Sequence, residues 1–451
     1  VGQQLTLSGA SITTINFQAG GYVLLDGFHP DTAREGDAAI TDRFDAWALV
    51  PGGGTLHDMI EPIHRALAHA ALHKTDADGI YLNYAIVAGE STWRTRVTGG
   101  VVLYDSRLAN RWIRGRIKLA IVLTHAPWWE GAEAQIPLTN ANGTNNTSGL
   151  TVYNHWDGDA GHENYVSINA ADVDGDLPGA TRLQLLNNYA TNRLYDIWIG
   201  QNWTTPSTFG PTLEGESATG GSLGNDASCS GGQYRYRDLL SGADSALFTW
   251  TLSTNFLNDC RGRGFKILCR FYDGNVQFLS NLPNIRWWLK LVYTATTIWE
   301  SAQVSADPDR TILIRDLFTM RLPPWLPGQT GLNAIDMTLM ARQDTGLTLS
   351  AGIDFLHAIP VEGWRYITHA GYGTQQNRRV MDDGIEGALY TDDGSGIGKL
   401  GILVGYGQPI MVYPNKLQRL YFLMHSHLAN TAEIARTVSA KLYYRPRRRN
   451  L

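Results

Sequence analysis

The stretch RIKLAIVLT, residues 116–124, sets Ile117, Leu119, Ile121 and Leu123 against Arg116, Lys118, Ala120 and Val122. Side chains two apart share one face of a strand, so this alternation predicts a strand with one buried face. The preceding sequence repeats the pattern. IYLNYAIV (80–87), TWRTRV (92–97) and GVVLYD (100–105) are short, rich in β-branched and aromatic residues, and separated by Gly or polar residues. One segment departs from it: Leu56, Met59, Ile60, Ile63, Leu67, Ala70 and Ala71 recur at three- and four-residue spacing, which predicts a helix near 56–74. Thr55 followed by Asp58 reads as a capping box with Asp in place of the usual Glu or Gln. Pro62 either kinks this helix or marks its true first turn. One helix packed on such strands makes an α-on-β sandwich over residues 1–131, ending at the corner Pro127-Trp128-Trp129-Glu130.

A change of composition follows. LTNANGTNNTSGLTVYN (138–154) favours turns and exposed connection, and places a boundary near 131–148. Beyond it come strand candidates YVSINA (165–170), TRLQLLN (181–187), LYDIWIG (194–200), LFTWTL (247–252), FKILCRFY (265–272), WWLKLVYT (287–294), ILIRDLF (312–318), AIDMTLMAR (334–342) and IDFLHAIPV (353–361). Short strands punctuated by Gly, Asn, Asp and Pro predict jelly-roll-type sandwich structure over 132–365. Within it, residues 206–232 read as a long loop, either a binding loop or an arm reaching a neighbouring subunit. ILVGYG (402–407), PIMVY (409–413), RLYFLMHS (419–426) and TVSAKLYYR (437–445) form a C-terminal β lobe or closing strands over 366–451. The fold class expected is mainly β, and the absence of a 20- to 50-residue repeat argues against propellers and solenoids.

Composition supports that class and narrows the partners. The chain has 451 residues, enough for two or three cores; only 18% are charged, and 14 Trp, 20 Tyr and 48 Gly suit sheets and turns. A net charge of −5 gives no general attraction for nucleic acid. Arg445, Arg447, Arg448 and Arg449 are a local exception that could meet an acidic partner or nucleic acid, but a solvated tail or a subunit contact is the expected reading. Cys229, Cys260 and Cys269 include no CxxC pair, so neither a disulfide framework nor a zinc site is expected, although one bridge from Cys229 stays open. No apolar run approaches the length of a membrane span, and the opening VGQQLTLSGASITTINF has no leader pattern, so a soluble chain is expected.

Candidate sites are few. His69 and His73 are four apart on one helix face, a spacing that can chelate a metal, but no HExxH pattern accompanies them and ordinary surface histidines are expected. Acidic turns occur at Asp157-Gly158-Asp159, at Asp172, Asp174 and Asp176, at Asp382-Asp383 and at Asp392-Asp393. Asp172, Asp174 and Asp176 are the candidate ligands of a structural calcium ion, with ordinary turn chemistry as the alternative. Glu163, Glu214, Glu216, Glu362 and Glu386 could supply paired carboxylates for glycoside hydrolysis, but no local pattern singles out a pair. GxSxG, phosphate-loop and Rossmann patterns are missing, so no catalysis and no further cofactor are expected. Of the Trp residues in the middle region, Trp203 and Trp325 lie beside loop-like sequence and are the candidates for stacking on a sugar.

The order GYVLLDGFHP (21–30), helix, strands and Pro-Trp-Trp-Glu corner resembles the N-terminal region of distal tail and related minor tail proteins of long-tailed bacteriophages. The resemblance implies a tail-tube-like β-sandwich with one helix, a ring of copies of the chain, commonly six, and other tail proteins as partners. FKILCRFYDG, ILIRDLFTMRLPP, DMTLMAR and IDFLHAIPVEGW are similar to inserted jelly-roll modules of the carbohydrate-binding type. Together they imply a structural virion protein at the tube tip or baseplate, with a module for host-surface glycan. The alternative is a secreted or cell-surface carbohydrate-binding protein. The region after Trp364 is longer than a tube-plus-module plan requires.

Overall fold

The computed structural model describes residues 3–32, 36, 38–50, 54–75, 78–87, 91–104, 115–144, 148–154, 162–190, 192–203, 209–272, 274, 276–308, 313–322, 324, 335–369, 373–392, 403–426 and 436–451. They form a mainly β molecule with five sheets.

The first sheet runs in the order Ile12–Asn16, Gln4–Gly9, Ile80–Ala85, Trp93–Tyr104, Arg116–His125, Ile40–Leu49, Tyr22–Leu25. Its two outermost strands follow one another in the chain with only residues 17–21 between them, so the sheet curls back on itself. Phe17 bridges the ends, its ring 5.8 Å from Tyr22 and 5.0 Å from Phe44. Helix Leu56–Leu72 lies in the curl and buries Met59, Ile60, Ile63, Ala66, Leu67 and Ala70 against it. Thr55 and Asp58 make the reciprocal cap, and Pro62 sits within the helix without ending it. The Tyr22 hydroxyl donates to the Met59 carbonyl, and burial pushes its pKa up to about 12. The stretches 92–97 and 100–105 are one strand, Trp93–Tyr104, with an irregularity between Val97 and Gly99. There a Cβ on Gly100 would collide with the Val122 carbonyl.

The other four sheets stack as layers. A seven-stranded sheet contains Leu150–Tyr153, Thr437–Tyr444, Gly179–Asn187, Arg379–Asp383 and Ala388–Asp392, with Ala134–Ile136 and Met411–Val412 at its margins. The next runs Gly143–Thr144, Thr139–Asn140, Tyr165–Ile168, Gln418–His425, Asp196–Asn202, Trp364–His369, Leu403–Gly407. Ile197, Ile199, Leu420 and Phe422 face Leu183, Leu185, Val438 and Leu442 in the core between these two. A six-stranded sheet follows, built on Gln233–Leu239, Leu349–Pro360, Gly264–Phe271 and Ile314–Arg321. It shares the largest core, including Trp250, Trp287, Phe265 and Leu339, with a five-stranded sheet containing Ser245–Thr251, Asp336–Gln343 and Ile285–Tyr293. Trp198 and Leu423, which alternate with Ile197, Ile199 and Phe422, point the other way and pack on Leu268, Ile314, Phe355 and Ile359. That contact joins the middle two sheets and covers both faces of their central strands; every residue of Asp196–Asn202 is buried, and all but one of Leu349–Pro360.

Chain order and layer order therefore differ. Residues 212–360 build the six- and five-stranded sheets between strands Asp196–Asn202 and Trp364–His369, which are neighbours in the sheet on either side of this excursion. The strands after Trp364 complete sheets begun by residues 134–202, except Arg447–Arg448, which joins the first sheet at Trp129–Glu130; none forms a sheet of its own. Residues 206–232, expected as one loop, contain strands Thr212–Glu214 and Ser222–Asn225, the second paired with Gln233–Leu239. The turn between them uses Gly220 and Gly221 at φ 89° and 64°, a region open to glycine. Helices Thr254–Cys260 and Val276–Asn281 were not expected, being too short for a helical stripe to register. The three cysteines are buried free thiols, which closes the option of a bridge. No helix among the described residues is long and apolar enough to cross a membrane.

Candidate functional site

The outer face of the curled sheet is the most unusual surface. Alternation puts Val102, Leu119 and Ile121 inside, and the residues between them outside. On the outer face Val101 and Leu103 are 44% and 48% exposed, and Val23 and Leu49 are exposed as well. The register sets Val101 opposite Val122, Leu103 opposite Ala120, and Val23 opposite Trp47. Two apolar patches therefore lie on this face, one on strands Trp93–Tyr104 and Arg116–His125 and one on Tyr22–Leu25 and Ile40–Leu49. Between them Val122 faces Arg43, Ala120 faces Asp45 and Trp47 faces Lys118. Arg43, Asp45, Lys118 and Arg116 thus form a charged strip between the two patches, with Lys118 2.6 Å from Asp45 and Arg116 over the Trp47 ring at 4.8 Å. Beside the other end of the sheet, a groove of about 700 Å³ runs between strand Ile12–Asn16 and the first turns of the helix, lined by Tyr22, Met59, Glu61 and Arg65. That strand is paired on one side only among the described residues.

The arginine tail is folded, not solvated. Strand Arg447–Arg448 pairs with Trp129–Glu130, and the Gly131 N–H donates to the Pro446 carbonyl. Arg447 donates twice to Glu130 at 2.9 and 2.7 Å and lies 4.9 Å over the Trp128 ring; Arg448 lies 4.6 Å over Trp93. The acidic turn is the other half of this contact. The Asp176 carboxylate accepts from the Arg449 N–H at 2.9 Å, Asp174 is 3.9 Å from the Arg448 guanidinium, and the Asp172 carboxylate accepts from the Asn169 amide at 3.1 Å. Among the described residues, the group of three metal-ligating side chains that lie within 4.8 Å of one another is His69, His73 and Asp78; Asp172, Asp174 and Asp176 form no such group.

Trp203 is half-buried, with its ring 4.8 Å from Tyr413, and Lys416 lies 5.6 Å over that tyrosine. Glu362, ion-paired with Arg263 at 2.8 Å, helps to raise the Tyr413 pKa, after burial as the larger cause. Trp325 lies outside the described residues, as do Asp157, Asp159 and Asp393. Trp198, Trp287 and Trp288 are core. Glu163 is buried and accepts from the Ala141 N–H at 3.0 Å, and Glu386 is exposed on a turn.

Two Asp–His pairs had no local signal because their members are far apart in the chain. His125 bridges Asp42 at 3.0 Å and Thr95 at 3.1 Å, an order that matches a nucleophilic relay. All three are at most 1% exposed and Thr95 also donates to the Ala126 carbonyl, so the hydroxyl meets protein rather than substrate. His425 and Asp196, 3.0 Å apart, are equally buried, and the Tyr366 hydroxyl donates to Asp196. Arg365 grips Asp382 with two bonds at 2.9 and 2.6 Å, and Arg270 is ion-paired with Asp354 between the middle layers. Asp382 has its pKa raised by burial, against the opposing pull of Arg365.

No protein-family model matches this chain, and no curated protein does. Among solved structures, it is similar to chains from the phage p2 baseplate in its activated conformation, one structure with Sr and one with Ca. The identity is 8% in both, the TM-score 0.23, and the match covers 43% and 44% of this chain and 71% and 72% of those chains. So low a TM-score carries no conclusion about this chain.

Proposed function

We propose that this chain is a structural subunit of a phage-like tail, at the tube tip or in a baseplate ring, whose curled first sheet joins other copies of itself. The supporting observation is the apolar outer face around Val101, Leu103, Val23 and Trp47. On strands Trp93–Tyr104 and Tyr22–Leu25 this face carries Val101, Leu103 and Val23 where an antiparallel sheet that met only water would place polar residues. Exposed apolar patches of this kind fit an interface, and the strip between them, which carries both Arg and Asp, suits a second copy of the same surface or of its neighbour. The resemblance of residues 21–30, the helix and the Pro-Trp-Trp-Glu corner to distal tail proteins points the same way. Binding, not catalysis, is the role proposed, in a virion. The test replaces Val101 and Leu103 by Asp. The parent chain is expected to sediment as a closed oligomer and show rings by electron microscopy, and the double variant to stay monomeric with unchanged circular dichroism. A parent chain that remains monomeric at the highest attainable concentration would sink the proposal.

The layered region is proposed as the decoration, with the Trp203 and Tyr413 rings as a platform for a host-surface glycan. Aromatic faces flanked by Glu362, Lys416 and Arg263 offer both the stacking surface and the polar groups that sugars require. Glycan-array binding by the full chain that is lost in Trp203→Ala supports this reading; binding that survives the substitution removes it. A secreted carbohydrate-binding protein is the outcome if glycan binding holds while the chain stays monomeric.

A further inference from the structure

We infer that His69, His73 and Asp78 form a binding site for a divalent transition cation of the zinc and cobalt class. The two histidines sit one turn apart on the last turn of helix Leu56–Leu72 and at its C-cap, with rings 4.1 Å apart and 21° from parallel. The spacing alone is common on helix surfaces. What the fold adds is Asp78, in the turn before strand Ile80–Ala85, which brings a carboxylate to the same place so that one donor atom from each residue lies within 4.8 Å of the others. Two imidazoles and one carboxylate, from two separate elements, are the donor set of a three-ligand site with a position left for water.

Supporting contacts orient the donors. The His69 Nε2 lies 2.9 Å from the Asp78 carbonyl oxygen, and the Ser11 hydroxyl donates to Asp78 Oδ1 at 3.1 Å. Where Nε2 carries the proton, Nδ1 keeps its lone pair for the cation; hydrogen bonds of this kind set tautomer and ring orientation at metal sites. All three side chains are half-buried, so an ion reaches them from solvent. Arg96, which donates to the His73 carbonyl at 2.9 Å, places a positive charge nearby and lowers the affinity relative to a closed four-ligand site. The nitrogen-rich donor set selects zinc, cobalt, nickel or copper over calcium and magnesium, which prefer all-oxygen cages. A bound ion would fasten the free end of the helix to the turn that starts the neighbouring strand.

The test uses the full chain stripped with chelator and titrated with Co²⁺ and Zn²⁺ by calorimetry, with the visible absorption of Co²⁺ reporting its coordination. One ion per chain is expected, binding at micromolar concentration, with a higher melting temperature in its presence and no heat from Ca²⁺ or Mg²⁺. His69→Ala, His73→Ala and Asp78→Asn should each weaken binding by about ten-fold or more, whereas His64→Ala, on an exposed part of the same helix, should leave it unchanged. Asp78→Asn preserves size and shape and keeps the test clear of folding defects, which circular dichroism monitors. Failure to bind Co²⁺ at millimolar concentration overturns the inference. So does affinity that is indifferent to His73→Ala, or that falls only in Asp174→Asn.

Discussion

The Gly373 N–H donates to His369 Nδ1 at 3.0 Å, so that nitrogen must hold a lone pair, and a proton placed on it breaks the bond. His369 is buried, and burial, the largest cause, depresses its pKa below the ordinary imidazole value. In the unfolded chain the ring titrates at about 6.5. A depressed folded pKa means that the unfolded state takes up the proton first as pH falls, so stability is complete above that value and declines below it. Between pH 7.5 and 5.5 the melting temperature should therefore fall, and His369→Asn, which keeps an acceptor near Nδ1, should flatten the slope; an unchanged slope would remove His369 as its source. The residue scale also shows where local reading stops. Asp174, Asp176, Arg447 and Arg448 were visible as two charged runs, one a candidate cation site and the other a solvated tail. The fold sets them side by side: Asp174 lies 3.9 Å from the Arg448 guanidinium and Asp176 accepts from the Arg449 backbone N–H, while the Arg447 side chain is taken by Glu130.

At the scale of elements, period-two alternation was legible wherever one face of a strand meets solvent, as in Arg116–His125, and it also runs through Ile40–Leu49, which local punctuation did not set apart. It fades where both faces are covered. In Leu349–Pro360, 11 of 12 residues are buried, and the charged and polar residues there survive by pairing. Asp354 is 0% exposed beside Arg270 and accepts from the Ser230 N–H at 3.0 Å. Removing one partner strands the other, so Arg270→Met should cost about 3–5 kcal/mol by denaturant unfolding. Replacing both, Arg270→Met with Asp354→Leu, should recover most of that loss; a double variant as unstable as the single would show that the ion pair itself, and not the avoidance of a stranded charge, holds these two neighbouring strands.

For the whole molecule, closure depends on the last few residues. Glu130 ends the first sheet's sequence, and Arg447 returns after more than 300 residues to bond it, while Leu451 packs on the first core. Both ion-pair members are mostly buried, so Arg447→Ala should destabilise the chain by roughly 1.5–3 kcal/mol, the range of hydrogen bonds to charged groups. The loss should also expose the Asp172–Asp176 turn to protease before the rest of the chain unfolds. Simultaneous loss of all structure with no early cleavage would place the tail outside the closure. The same scale carries the assembly prediction: the exposed apolar patch at Val101 and Leu103 is proposed to be covered by a second copy, which is why Val101→Asp with Leu103→Asp is expected to block oligomers without unfolding the subunit.

From the sequence alone came the mainly β class, the helix with its Thr55 and Asp58 cap, and most strand positions, since these depend on spacing between near neighbours. Only tertiary structure decided which strands pair, that residues 212–360 are housed between two adjacent strands, and that the arginine tail meets the acidic turn. It also brought Asp78 to His69 and His73. Pairings such as Asp196 with His425 join residues more than 200 apart, and a hydrogen bond across such a distance leaves no periodic trace in either partner. It is set by how the buried faces stack, a property of the assembled layers rather than of any one segment.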